Sequence, residues 1–193
     1  MNALGLWTLP NLVTWSRVVL SVPVILLLVS GSQAALWWAL VLMFVSEVSD
    51  GVDGWVARRT GQVSAVGKIL DPMSDSIYRI CVFTAFVANG WMPVWMLLIF
   101  VWRDLIVSYL RLIAERFITT MAARQSGKWK AVAQGVAQGA VVLAYALLGT
   151  EPGGTIELLL WGVLLIAAAV TLYSLLDYAA SVAKGLGSAS DAA

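Results

Sequence analysis

Asp50-Gly51-Val52-Asp53-Gly54-Trp55-Val56-Ala57-Arg58 and, after eight more residues, Gly67-Lys68-Ile69-Leu70-Asp71-Pro72-Met73-Ser74-Asp75 form the stretch where carboxylates crowd into an otherwise apolar chain. An ionised carboxylate at the centre of a spanning helix costs about 2.5–3.5 kcal/mol, so four left uncompensated would cost roughly 10 kcal/mol. A chain keeps such groups where positive charge answers them. Divalent cations such as Mg²⁺ suit carboxylate oxygens.

The surrounding composition is that of a membrane protein. Of 193 residues, 61% are hydrophobic and 12% charged, and the mean hydropathy is +0.87. These values lie far from soluble composition. The ten tryptophans suit interfacial anchoring or packing between helices. A net charge of +1 gives no field suited to nucleic acid, which is not expected as a partner. The absence of histidine excludes Ser-His-Asp triads and His-ligated zinc. The single cysteine, Cys81, cannot form an intrachain disulfide and reads as a small buried hydrophobe.

Hydropathy predicts an all-α integral membrane protein with six transmembrane helices, at about 12–30, 34–57, 69–89, 92–113, 129–149 and 156–180. The chain reads as a single domain over residues 1–193. Residues 1–10 form a short interfacial segment, Arg17 interrupts the first apolar run, and this run is expected to be an uncleaved span. Residues 185–193 are expected to be a disordered tail. Gly31-Ser32-Gln33, Asn89-Gly90 and Gly149-Thr150-Glu151-Pro152-Gly153-Gly154 punctuate alternate turns. None of the twelve basic residues falls in those three turns, and most lie in or near 58–68 and 114–128. The positive-inside rule therefore places the latter turns, both termini and the opening of the aspartate site on the cytoplasmic side of a cell's inner membrane.

Helical spacing puts Asp50, Asp53, Gly54 and Ala57 on one face, and Gly67, Asp71 and Asp75 on one face of the next helix. Asp50 and Asp53 differ by about 4.5 Å along the axis, and Asp71 and Asp75 by about 6 Å. Two such faces converging at the ends of antiparallel neighbours can hold two divalent ions, Mg²⁺ or Mn²⁺, which suits displacement at a phosphoryl group. Gly54, Ala57 and Gly67 remove bulk for a large ligand, and Arg58 is placed to hold a phosphate. Taken singly, these small residues read as helix packing and Arg58 as a topology signal. Four aspartates on two stripes read as functional. Spacing alone does not choose which aspartate is a base.

Asp-x2-Asp-Gly-x2-Ala-Arg-x8-Gly-x3-Asp-x3-Asp resembles the signature of the CDP-alcohol phosphotransferase family, with every specified position present from Asp50 to Asp75. The resemblance implies an enzyme that joins a CDP-linked lipid alcohol to an acceptor hydroxyl and releases CMP. It implies Asp50, Asp53, Asp71 and Asp75 as ligands of two divalent cations, and Asp75 as the catalytic base. It implies a CDP site of Asp50, Asp53, Gly54, Arg58, Gly67 and Asp71. It also implies a homodimer in a lipid bilayer.

The rest of the chain resembles the phosphatidylglycerophosphate synthases of that family. Pro10-Asn11-Leu12-Val13-Thr14-Trp15-Ser16-Arg17, Leu70-Asp71-Pro72, the stretch from Trp102 to Arg111 and Ser126-Gly127-Lys128-Trp129-Lys130-Ala131 carry this likeness. Asp104 stands where Glu is usual, Ala131 where Thr is usual and Ser76 where Lys is usual. CDP-diacylglycerol and glycerol 3-phosphate are the implied substrates. The cations agree: Arg103, Arg111, Lys128 and Lys130 exceed what topology needs and are expected to bind the acceptor phosphate. For Lys128 and Lys130 the bland reading is attraction to anionic lipid. Arg103, near mid-span, is open to Asp104 of a neighbouring protomer, to Glu47 or to a phosphate as partner. Arg79 offers a replacement for the charge missing at Ser76.

A phosphatidylinositol phosphate synthase is the nearest competing reading. A cation transporter is the competing class, because carboxylates in spans also mark ion paths. Against transport, the acidic residues cluster at one end instead of lining the full depth.

Overall fold

A computed structural model of the chain describes residues 9–60, 67–117, 125–149 and 153–190. These residues form six helices: α1 (Leu9–Val29), α2 (Gln33–Thr60), α3 (Gly67–Ala88), α4 (Val94–Phe117), α5 (Gln125–Leu148) and α6 (Gly154–Ser190). Each overlaps one of the six expected apolar runs. α5 and α6 are long and apolar enough to cross a membrane, while α1 and α2 hold shorter apolar stretches, Thr14–Val29 and Gln33–Ser49. Charged side chains interrupt the others: Asp71, Asp75 and Arg79 in α3, and Arg103, Asp104 and Arg111 in α4.

Helix ends depart from the hydropathy boundaries. α6 has 37 residues, so it passes the expected end at 180 and runs through much of the tail. Gly185, Gly187 and three serines make 181–190 a weak helix former, so the extension is not one that local propensity predicts. Most of the expected interfacial segment lies outside the described residues, as do 191–193 and much of the two basic turns.

The chain divides into two compact units, Met1–Trp91 with Gln138–Gly153, and Met92–Ala137 with Gly154–Ala193. In the first, α1 packs on α2 and α3 around Val24, Leu28, Leu36, Phe83 and Phe86. Ser32 caps α2, its Oγ accepting the Ala35 N–H at 3.2 Å. The turn after α3 ends as the sequence Asn89-Gly90 predicts. Gly90 takes φ +74°; its N–H reaches the Val87 carbonyl at 3.0 Å, and the Trp91 N–H reaches that of Phe86 at 2.9 Å. This is a Schellman cap, in which glycine adopts the left-handed region at low cost. The accompanying hydrophobic contact is present, with the Phe86 and Trp91 rings 5.5 Å apart. Trp91 also stacks on Tyr145 at 4.0 Å.

In the second unit α4 packs on α6 around Phe100, Val107, Leu164 and Ala168. Across the described residues the usual polarity is reversed. Gln134, Gln138, Thr171 and Ser174 are buried, whereas Phe44 (71% exposed) and Leu158 (73%) face outward. Large apolar side chains outside and hydrogen-bonded polar ones inside fit a hydrocarbon surrounding.

Candidate active site

α3 carries the first part of the site. Gly67, Asp71, Asp75 and Arg79 follow one another at four-residue steps, hence on one face. Asp71 is exposed and Asp75 intermediate. Pro72 lies inside α3 and donates no N–H, which loosens the helix's first turn. The backbone of α2 carries Asp50, Asp53, Gly54 and Arg58, whose side chains lie outside the described residues.

Arg79 organises what surrounds Asp75. Its side chain is 6% exposed. Its Nε donates to Asp75 Oδ1 at 2.9 Å, and its Nη2 lies 3.2 Å from Glu47 Oε1 and 3.4 Å from Oε2. The Arg79 carbonyl accepts from Gln138 Nε2 at 2.8 Å. Arg79 therefore joins a carboxylate of α2 to the last aspartate of the α3 stripe. The Asp71 carbonyl accepts from Ser74 Oγ at 3.0 Å.

The donor chemistry of the stripes is carboxylate only, which fits a hard divalent cation. Among the described residues, which exclude the side chains of Asp50 and Asp53, no three acidic side chains gather as a metal site. Arg79 engages Oδ1 of Asp75, so Oδ2 is the oxygen left for a cation or a proton.

The second unit gathers the expected acceptor cations unequally. Arg103 and Lys130 are buried and meet on Asp104. Arg103 Nη1 lies 3.0 Å from Oδ1, and Lys130 Nζ lies 2.9 Å from Oδ1 and 3.0 Å from Oδ2. Neighbours on a helix do not share a face, but the long arginine reaches round to its own Asp104. Within the chain, Arg103 takes its own Asp104 as partner, while Glu47 pairs with Arg79. Arg103 Nη2 also donates to Ser174 Oγ at 2.9 Å. Arg111 donates to the Tyr178 hydroxyl at 3.0 Å. The guanidiniums of Arg103 and Arg111 lie 5.7 Å and 5.2 Å from the Tyr178 ring centroid, within cation–π range. Gly127 sits against this cluster: a Cβ there would lie 3.2 Å from the Tyr178 hydroxyl and 3.5 Å from Arg103 Nη2. Lys128 is exposed.

Glu47, which the sequence offers only as a candidate partner of Arg103, pairs with Arg79 instead, and Asp177, to which the sequence assigns no role, is hydrogen-bonded. Asp177 Oδ2 accepts from Ser126 Oγ at 2.6 Å. A signal for Glu47 existed in its spacing, one turn before Asp50 on the same face. Ser174 and Tyr178 also stand one turn apart on α6, but their polarity is too mild to be conspicuous in an apolar helix.

The profile of the CDP-alcohol phosphatidyltransferase family matches residues 7–173. A CDP-diacylglycerol–glycerol-3-phosphate 3-phosphatidyltransferase of Mycoplasma pneumoniae is 30% identical, over 91% of this chain and 88% of its own. A protein of the same name from Cereibacter sphaeroides is 30% identical over 75% of this chain and 65% of its own. A cardiolipin synthase (CMP-forming) of Streptomyces coelicolor is 33% identical over 50% of this chain and 46% of its own. With the Asp50-to-Asp75 spacing intact and the match spanning nearly all six helices, the chain belongs to the CDP-alcohol phosphatidyltransferase family and is an enzyme of that class.

Proposed function

We propose that this enzyme transfers the phosphatidyl group of CDP-diacylglycerol to a hydroxyl of glycerol 3-phosphate, giving phosphatidylglycerophosphate and CMP. The observation that carries the acceptor is the relative named for that reaction, aligned over about nine-tenths of both chains. The acceptor oxygen bonds to the lipid-side phosphorus, the bond from that phosphorus to the CMP oxygen breaks, and the acceptor proton passes to Asp75. Asp50, Asp53, Asp71 and Asp75 would hold two divalent cations, Mg²⁺ or Mn²⁺, which neutralise charge on the attacking and leaving oxygens. Gly54 and Gly67 give the CDP moiety room, and Arg58 holds one of its phosphates.

The acceptor phosphate falls to Arg103, Arg111, Lys128 and Lys130, in unequal parts. Asp104 engages both Arg103 and Lys130; one carboxylate against two cations leaves a net positive charge in the cluster, which suits an anion. Arg111 and exposed Lys128 are the cations best placed to exchange partners. Lys128→Ala is expected to raise the KM for glycerol 3-phosphate about tenfold, with that for CDP-diacylglycerol unchanged. Steady-state CMP release with each substrate varied in turn checks this; equal effects on both would argue against an acceptor role.

The outward apolar faces support residence in the inner membrane as a multi-pass protein. Basic residues at the ends of α2 and α4 support a cytoplasmic site and cytoplasmic termini. Dimerisation rests on the family resemblance alone. A second reading, with phosphatidylglycerol as acceptor, is favoured by the likeness to the Streptomyces cardiolipin synthase. CMP release compared among glycerol 3-phosphate, inositol 1-phosphate and phosphatidylglycerol decides between them.

A further inference from the structure

Asp75 is not held by its own helix alone. Arg79 reaches it from one turn on, at 2.9 Å, and Glu47 of α2 holds the same guanidinium at 3.2 Å. Arg79 is nearly buried, while 48% of the Glu47 side chain is exposed. A buried guanidinium needs a counter-charge, and Asp75 already supplies one. What Glu47 adds is orientation. A guanidinium is planar and its N–H directions are fixed. With Nε tied to α3 and Nη2 to α2, its plane is set from two sides.

We propose that Glu47 is a positioning residue for phosphatidyl transfer: by fixing the Arg79 guanidinium it sets the rotamer of Asp75, keeping Oδ1 engaged and Oδ2 available for the chemistry. The inference rests on the reading of Asp75 as ligand and base. Without Glu47 the guanidinium loses its tie to α2, and the Asp75 carboxylate bound to it is less firmly oriented. A misplacement of about 1 Å at a reacting group can cost up to 100-fold in rate. The effect belongs in kcat, because neither substrate need touch Glu47. Glu47 also stands one turn before Asp50, so a direct ligand role is the rival explanation. Its two oxygens both face Arg79, at 3.2 and 3.4 Å, which favours the positioning role.

The test uses Glu47→Asp in the full-length enzyme, because that change keeps the charge and shortens the reach by one methylene. kcat is expected to fall about tenfold, with both KM values within about twofold of wild type. Binding of Mn²⁺ alone, followed by the electron paramagnetic resonance of the free ion, supplies a readout independent of turnover. Its dissociation constant should rise about threefold in the wild-type background and stay unchanged in an Asp75→Asn background. Wild-type kcat for Glu47→Asp would overturn the proposal. So would an equal Mn²⁺ shift in both backgrounds, which would make Glu47 a ligand in its own right. Should Glu47→Asp fail to fold, Arg79→Lys stands in: it keeps the charge but lacks the fixed fork whose Nε and Nη2 reach Asp75 and Glu47 separately, and a wild-type rate for it would be equally fatal. An Asp75→Asn enzyme that still turns over at the wild-type rate overturns the role of Asp75 itself. An inactive Asp75→Asn beside an unimpaired Glu47→Asp overturns only the inference about Glu47.

Discussion

Asp75→Asn is expected to lower the rate of CMP release by about 10²–10⁴-fold, the usual worth of a positioned general base. The substitution keeps the shape of the side chain and an oxygen able to accept the Arg79 Nε–H, now held at 2.9 Å. Arg79 also keeps the charge of Glu47, so its burial remains compensated and the fold should survive. The rate should fall far more than the KM for CDP-diacylglycerol rises, and the Mg²⁺ concentration needed should also rise, because Asp75 is read as a cation ligand as well as the base. Rate and melting temperature measured on the same detergent-purified sample separate the two effects. A near-wild-type rate would remove Asp75 from the chemistry.

The second large effect is structural. Asp104→Ala should destabilise the protein by about 3–5 kcal/mol, the range for breaking a buried ion pair by removing one partner. Asp104 is 6% exposed at its side chain, and its two partners, Arg103 and Lys130, are 8% and 3% exposed. Removing it leaves two buried cations facing each other across a small gap. For a chain of this size each kcal/mol corresponds to roughly 2–4 °C in melting temperature, so a drop of roughly 10 °C is expected. Replacing Lys130 by Met in the same protein should recover part of that loss, because one stranded cation goes with it. Strict additivity of the two substitutions, or an unchanged melt for Asp104→Ala, would show that the pair does not carry the energy its burial implies.

Much of the helical order was legible in the sequence because it depends on local signals. Apolar runs separated by Gly31, Asn89-Gly90, Gly149 and the two basic turns give the helix count, and Gly31, Gly90 and Gly149 take positive φ. Where the helices end was less legible. Hydropathy stops at 180, whereas α6 runs on to Ser190 through Gly185 and Gly187, which local propensity disfavours. The α3 stripe was legible because its spacing is helical. The bond between Glu47 and Arg79 was not, because it depends on how far two helices rotate about their axes, and no local pattern encodes that angle. The same holds for Arg103: spacing offers it several partners, and packing in the second unit selects Asp104, Ser174 and the Tyr178 ring. The acceptor cations looked like four equal charges in sequence. In the structure two are spent on a carboxylate and one lies on an aromatic ring, leaving Lys128 exposed.

Purified protein given CDP-diacylglycerol, Mg²⁺ and glycerol 3-phosphate should release CMP and form phosphatidylglycerophosphate, with both products lost on chelation of the metal and no release when inositol 1-phosphate or phosphatidylglycerol replaces glycerol 3-phosphate. Release with either of those acceptors and none with glycerol 3-phosphate would contradict the account.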